Sequence, residues 1–348
     1  MRMFLAMLAT QELLASYIGV RLGLYEDLAA HGRATPPELA TRTGLDPRYV
    51  REWLEQQAVA GLLTVADPGA GADERVYTLP EGHREVLTSS DHPMSMVSLT
   101  VRPLGGVAQA LPELLDAYRT GAGVADSTFG HDWREGHGGA NRSLFTHQLP
   151  GWIRTLLPDV HSKLTSGEGR VADVGCGAGW ASLALAGAYP ECRVDGFDTD
   201  GESVGEARLR AEDAGLADRV TFTAHEAGGD GAGRYQLVCL LDVLHEVTHP
   251  VEVLAQCRSL LADGGTVLVM DARVAEKFTA PGDEIERFQY ATSVLHCLPA
   301  ARVGEGAAGN GTVLRPEAVR DYATAAGFGR VDELPVRDRF HRLYRLTC

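Results

Sequence analysis

The chain has 348 residues, a formal net charge of −15, 45% apolar and 23% charged residues. That length exceeds what one core usually organises and predicts two domains, while the composition excludes a fibrous or disordered chain. The acidic balance repels a phosphate backbone and no Lys/Arg cluster offsets it, so nucleic acid is not expected as a partner.

The opening stretch MRMFLAML is apolar, but its only early charge is Arg2, no small-residue cleavage site follows, and polar residues return at Thr10 and Gln11. A packing helix at a subunit interface is expected, with no signal peptide and no membrane partner. Leu13, Leu14, Tyr17, Ile18, Leu22 and Leu28 recur at helical spacing, interrupted by Gly23, which predicts a helix in two pieces. Thr35 then caps a short helix that Gly44 ends, and Asp46-Pro47 starts another. LLTVA (62–66) and RVYTL (75–79) flank a Gly- and Asp-rich loop and predict a β-hairpin wing. Residues 1–90 are thus expected to form a mainly helical, winged-helix-like domain. Its second helix carries Glu52 and Glu55 beside Arg48 and Arg51, which suits a homodimerisation unit better than a DNA reader. A DNA-binding regulator with a ligand-sensing second domain is the alternative from another class.

Residues 91–165 are expected to be a helical linker, with helices near 96–104, 107–118 and 142–157, that supplies walls to a substrate pocket. Trp133, Phe145 and Trp152 are the apolar candidates there, and Arg134 or Arg142 the partner for a carboxylate. From Gly169 short apolar runs alternate with helical ones: RVADVG, CRVDGFD, RVTFTAH, YQLVCLL and GTVLVMD, with a final pair near FGRVDELPV and RFHRLYRL. This predicts an α/β fold, a Rossmann-like doubly wound sheet, over 166–348. The six cysteines show no CxxC spacing, so reduced thiols in a cytoplasmic protein are expected.

The segment RVADVGCGAGWASLAL joins a buried strand to an apolar helix through Gly175, Gly177 and Gly179. Glycines there let backbone approach a ligand. Asp173 near the strand end suits a cationic sulfonium, no basic residue in the turn awaits a phosphate, and Asp198 stands where a carboxylate can accept ribose hydroxyls. A dinucleotide fold could use a similar loop, but these three features favour S-adenosylmethionine. DVGCGAGW, GFDTD, YQLVCLLDVLHEV and LLADGGTVLVMD resemble the class I methyltransferase family across about residues 130–348. The resemblance implies a seven-stranded sheet, Gly175, Gly177 and Gly179 around the amino-acid part of the cofactor, and Asp198 on its ribose. It also implies Glu226 at the adenine amine and Asp242 beside the methionine end.

LLDVLHEVTHPVEVL (240–254) offers His245, Glu246 and His249 and spells HExxH. Pro250 disfavours helical geometry at His249, which separates this run from the single-helix zinc motif. In small-molecule O-methyltransferases with a helical dimerisation domain, which the chain resembles, the histidine after the fourth strand is a general base; this points to His245. An insertion at about 273–312 carries Tyr290 and His296 before a glycine-rich lid, and Tyr290 is a further substrate-binding candidate. Convergence of His245, Glu246 and His296 would give two imidazoles and a carboxylate, a set suited to non-haem iron or another divalent or trivalent metal. Through FQYATSVLHCLP the chain resembles α-keto acid C-methyltransferases of peptide-antibiotic biosynthesis. That implies metal-assisted methylation at the β-carbon of a phenylpyruvate-like or branched aliphatic keto acid, with His245, Glu246 and His296 catalytic. Metal-free O-methylation is the alternative.

Overall fold

The computed structural model describes residues 1–88, 92–167, 169–227 and 234–348. It contains two compact units. One comprises Met1–Ala108 with Gly130–Ser143, the other Gln109–Phe129 with Leu144–Cys348. The segment expected as a linker at 91–165 is therefore divided between them.

In the first unit, α1 (Arg2–Arg21) and α2 (Leu24–His31) meet at Gly23, whose φ of 67° turns the chain. α3 (Pro36–Thr43) starts in a capping box between Thr35 and Glu38. α4 (Pro47–Val59) is capped by Asp46, whose side chain accepts from the Arg48 and Tyr49 amides. Each cap contributes about 1 kcal/mol. The wing is β1 (Thr64–Val65) paired antiparallel with β2 (Tyr77–Thr78), and Ala34 adds a bridge to Tyr77. Leu28, Leu39, Leu54, Leu63 and Tyr77 form its core. Trp53 locks α4 to α1: its indole N–H donates to the Ala15 carbonyl at 2.9 Å, and a Cβ on Gly19 would fall 2.4 Å from its ring. Three arginines of α4 and the wing are paired, Arg48 with Glu52, Arg51 with Asp73 and Arg75 with Glu55.

Most of α1 stays uncovered, with Met3, Phe4, Leu5, Met7 and Leu8 exposed. By length and composition alone this helix could cross a membrane, although Thr10, Gln11 and Glu12 interrupt its apolar run. The segment Gly130–Gly139 is helical although its glycines discourage helix. Gly136 explains part of this, because a Cβ there would meet the Ser98 carbonyl at 2.8 Å and the Arg102 backbone. The helix expected over 142–157 is broken into Arg142–His147 and Leu149–Leu156, since Pro150 cannot donate the amide a continuous helix needs.

The second unit is a seven-stranded sheet of β3 (Arg170–Val174), β4 (Arg193–Asp198), β5 (Val220–Ala224), β6 (Tyr235–Leu241), β7 (Leu261–Ala272), β8 (Arg330–Leu334) and β9 (His341–Thr347). The order is β5-β4-β3-β6-β7-β9-β8, parallel except for β9, which runs antiparallel to both β7 and β8. Two apolar clusters cover its faces, one including Leu185, Leu237 and Met270, the other Val238, Leu240, Leu254 and Phe328. Burial on both faces is why these strands read as unbroken apolar runs. β7 starts at Leu261, ahead of its apolar run, because Leu261 pairs with Tyr235 across a register shift. The strand order reverses between β3 and β6, and ligands of such sheets bind beyond the carboxyl ends of the strands at that point.

Candidate active site

All three glycines of the turn after β3 have positive φ: 72° at Gly175, 49° at Gly177 and 82° at Gly179. Side chains are excluded for different reasons. A Cβ on Gly175 would meet Val243 at 2.6 Å and one on Gly179 would meet Phe222 at 2.7 Å, whereas over Gly177 no atom lies within 4 Å. Open space above Gly177 is what a bound nucleoside-containing ligand needs. The Gly177 amide donates to Asp198 Oδ2 at 2.7 Å, and the Asp200 amide donates to Oδ1 at 2.9 Å. Burial raises the Asp198 pKa against these two bonds, and each oxygen keeps capacity to accept from a ribose.

Asp173 is 1% exposed and accepts the Ser182 hydroxyl at 2.6 Å. It ties β3 to the helix Trp180–Ala188 and supports the turn from beneath. Glu226 is exposed and accepts from Gln256 at 3.2 Å. Asp242 follows β6 with φ of 63°, a conformation costly outside glycine, and its amide donates to the Met270 carbonyl at 2.7 Å.

His245 lies in the turn after β6, 3% exposed. Its Nδ1–H donates to Asp271 Oδ1 at 2.8 Å and its backbone amide to Oδ2 at 3.2 Å. The ring is thereby fixed with Nε2 toward Glu246 Oε1, 3.4 Å away. His296 is 1% exposed; its Nε2–H donates to Asp126 at 2.7 Å, and its Nδ1 lies 3.4 Å from the same Glu246 oxygen. Phe129 stacks edge-on against its ring at 4.7 Å. Burial opposes protonation of both imidazoles, but Asp271 and Asp126 override it and hold both pKa values well above the ordinary histidine range. Glu246 Oε1 thus lies 3.4 Å from a ring nitrogen of each of His245 and His296. His249 instead caps the helix Pro250–Leu260 with φ of −126°, so His245 and His249 do not share a helix.

The spacing can be compared with what a cation requires. Bonds of about 2.1 Å to nitrogen and oxygen give tetrahedral edges of about 3.4 Å, the separation of Glu246 Oε1 from each imidazole. Carboxylates on the outer ring nitrogens are the usual support for metal-binding histidines. His245, Glu246 and Cys297 each offer a ligand atom within 4.8 Å of the others, a spacing that fits a small divalent cation, whereas His296 approaches that group through Glu246 alone.

Three participants escaped sequence reasoning. Asp271 ends the neighbouring strand, and the pairing of Leu241 with Met270 brings it beside the turn; an acidic residue closing an apolar strand was the available signal. Asp126 is distant in sequence and left none. Cys297 donates its Sγ–H to Glu246 Oε1 at 3.0 Å. It follows His296 in a π-helical turn, Ser293–Cys297, whose irregularity the sequence did not announce.

The substrate candidates are scattered. Phe145 is buried in the core against the sheet and Trp152 packs on that core. Tyr290 accepts from Arg315 at 3.2 Å and meets Phe278 edge-on. Trp133 and Arg134 belong to the first unit, where Trp133 stacks on His137 at 5.1 Å and lies under Arg102.

Comparison with known proteins agrees with this anatomy. A model of a methyltransferase domain matches residues 172–267, and one of an Rv2258c-like winged HTH domain matches residues 9–89. The ubiquinone biosynthesis O-methyltransferase of Burkholderia cenocepacia is 33% identical over 118 residues, 34% of this chain and 47% of that protein. The chain thus spans about half the length of the curated relatives it matches. Human N-acetylserotonin methyltransferase in complex with S-adenosylmethionine superposes with a TM-score of 0.72 at 18% identity, covering 97% of this chain and 94% of that one. An aminoriboflavin dimethyltransferase from Streptomyces davawensis gives 0.63 at 19% identity, covering 100% and 98%. The same fold is thus shared over the full length.

Proposed function

From a chain that joins a winged-helix domain to a class I methyltransferase domain, we propose that the protein transfers a methyl group from S-adenosylmethionine to a small molecule. Gly175, Gly177, Gly179 and Asp198 hold the cofactor, with Glu226 at its adenine and Asp242 toward its methionine end. The finer reading is methylation at the β-carbon of an α-keto acid, phenylpyruvate-like or branched aliphatic, with a cation held by His245, Glu246 and His296. The observation that carries it is the pair of buried imidazoles, each held from outside by a carboxylate and each facing one oxygen of Glu246.

A cation held there would supply Lewis acidity toward the keto acid. Asp271 and Asp126 keep His245 and His296 aimed at that position, and their burial excludes water from it. With S-adenosylmethionine bound, the methyl would pass from sulfonium to the β-carbon of the enolised keto acid, the carbon–sulfur electron pair staying on sulfur to leave S-adenosylhomocysteine and the β-proton lost on enolisation going to solvent buffer. The transfer needs positioning more than covalent help.

The His245–Asp271 pair also favours a second reading, metal-free O-methylation with His245 as base and Asp271 orienting it. The uncovered face of α1 supports a homodimer, and the paired arginines of the winged helix argue against DNA. Five buried free thiols support a reducing, cytoplasmic setting.

Metal analysis of protein purified without chelators, together with turnover of His245→Ala and His296→Ala, separates the two chemistries. Metal present and both variants inactive is the expected result. Absence of metal with His296→Ala active and His245→Ala inactive would establish the O-methylation alternative.

A further inference from the structure

We propose that Cys297 is a thiolate ligand of the same cation, making the centre one of borderline-soft metals such as zinc or ferrous iron and not of magnesium or calcium. The inference rests on the metal reading of the His245 cluster and deepens it: His245, Glu246 and Cys297 would be the three protein ligands, leaving the fourth tetrahedral position open for substrate. The acceptor atoms of His245, Glu246 and Cys297 all lie within 4.8 Å of one another. Cys297 is 1% exposed, His245 3% and His296 1%, so the cluster is closed to bulk water.

One oxygen, Glu246 Oε1, receives the Cys297 Sγ–H at 3.0 Å and lies 3.4 Å from His245 Nε2 and from His296 Nδ1. Three separate segments, the turn after β6, the π-helical turn Ser293–Cys297 and Asp126 before it in the chain, are needed to build that arrangement. π-turns are rare and concentrate at functional sites because they redirect neighbouring side chains. Here the turn buries His296 and Cys297 side by side.

A cation with bonds of about 2.3 Å to sulfur and 2.1 Å to oxygen has a sulfur–oxygen edge of about 3.6 Å. Cys297 Sγ therefore needs to withdraw only about half an ångström from Glu246 to bind. On binding, the S–H bond breaks, its proton leaves to solvent buffer, and the sulfur lone pair passes to the cation. Thiolate ligands select zinc, cobalt and ferrous iron over hard ions that prefer all-oxygen sites.

The test uses the full-length protein loaded with cobalt(II), its stoichiometry measured by dialysis, and its near-ultraviolet spectrum recorded. The expected result is one cobalt with an intense sulfur-to-cobalt charge-transfer band. That band disappears in Cys297→Ser, and cobalt affinity falls at least about tenfold. X-ray absorption of the zinc-loaded wild-type protein should count one sulfur at about 2.3 Å, a readout independent of whether the variant folds. Cobalt bound without the band, or a band that survives in Cys297→Ser, overturns the role of Cys297 and leaves the His245–Glu246–His296 reading standing. Failure of the wild-type protein to bind cobalt or zinc at all overturns both.

Discussion

Asp271 Oδ1 accepts the His245 Nδ1–H at 2.8 Å while Oδ2 accepts the His245 backbone amide. One carboxylate thus fixes both the position and the ring orientation of a histidine on the neighbouring strand's loop. Removing its charge should lower the His245 pKa, because Asp271 is what holds it up. Asp271→Asn is expected to reduce kcat about 10- to 100-fold with cofactor binding unchanged. Full turnover in this variant at every pH would show that the pairing is structural only.

The space above Gly177 makes a separate prediction about the cofactor. Gly175→Ala should abolish S-adenosylhomocysteine binding, since the added Cβ meets Val243 and the φ of 72° is strained. Asp198→Ala should weaken it about ten- to a hundredfold by removing charged hydrogen-bond acceptors. Isothermal calorimetry reads both, and undiminished affinity in Asp198→Ala would remove that residue from the ribose site.

Asp173 predicts a pH signature. Burial raises its pKa from 3.8 to about 6, against the bond from Ser182. Below about pH 4 folded and unfolded states are both protonated and the residue costs nothing. Between about 4 and 6 the unfolded chain ionises while the folded one keeps its proton, so stability falls as pH rises, by about 3 kcal/mol in all. Asp173→Asn retains an acceptor for Ser182 and should match wild type near pH 4 but exceed it by a few kcal/mol at pH 7. Denaturant unfolding of cofactor-free protein across this range measures it; a pH-independent difference would contradict the assignment.

The outward face of α1 supplies the fourth prediction. Phe4 and Leu8 are 57% and 37% exposed, and the double change Phe4→Asp with Leu8→Asp should shift sedimentation from dimer to monomer. A dimer that survives both charges uses another surface.

The sequence alone determined the elements whose signals are local. Gly175, Gly177 and Gly179 demanded a ligand-cradling turn, alternation of apolar runs with helices demanded a parallel sheet, and Asp46 and Thr35 announced their helices. His245 and Glu246 were legible because they follow β6 directly. Only the tertiary structure decided their partners. Asp271 reaches His245 through strand pairing, Asp126 comes from 170 residues away to hold His296, and a π-turn places Cys297 on Glu246. Those contacts depend on the register and packing of distant segments, which no local pattern encodes.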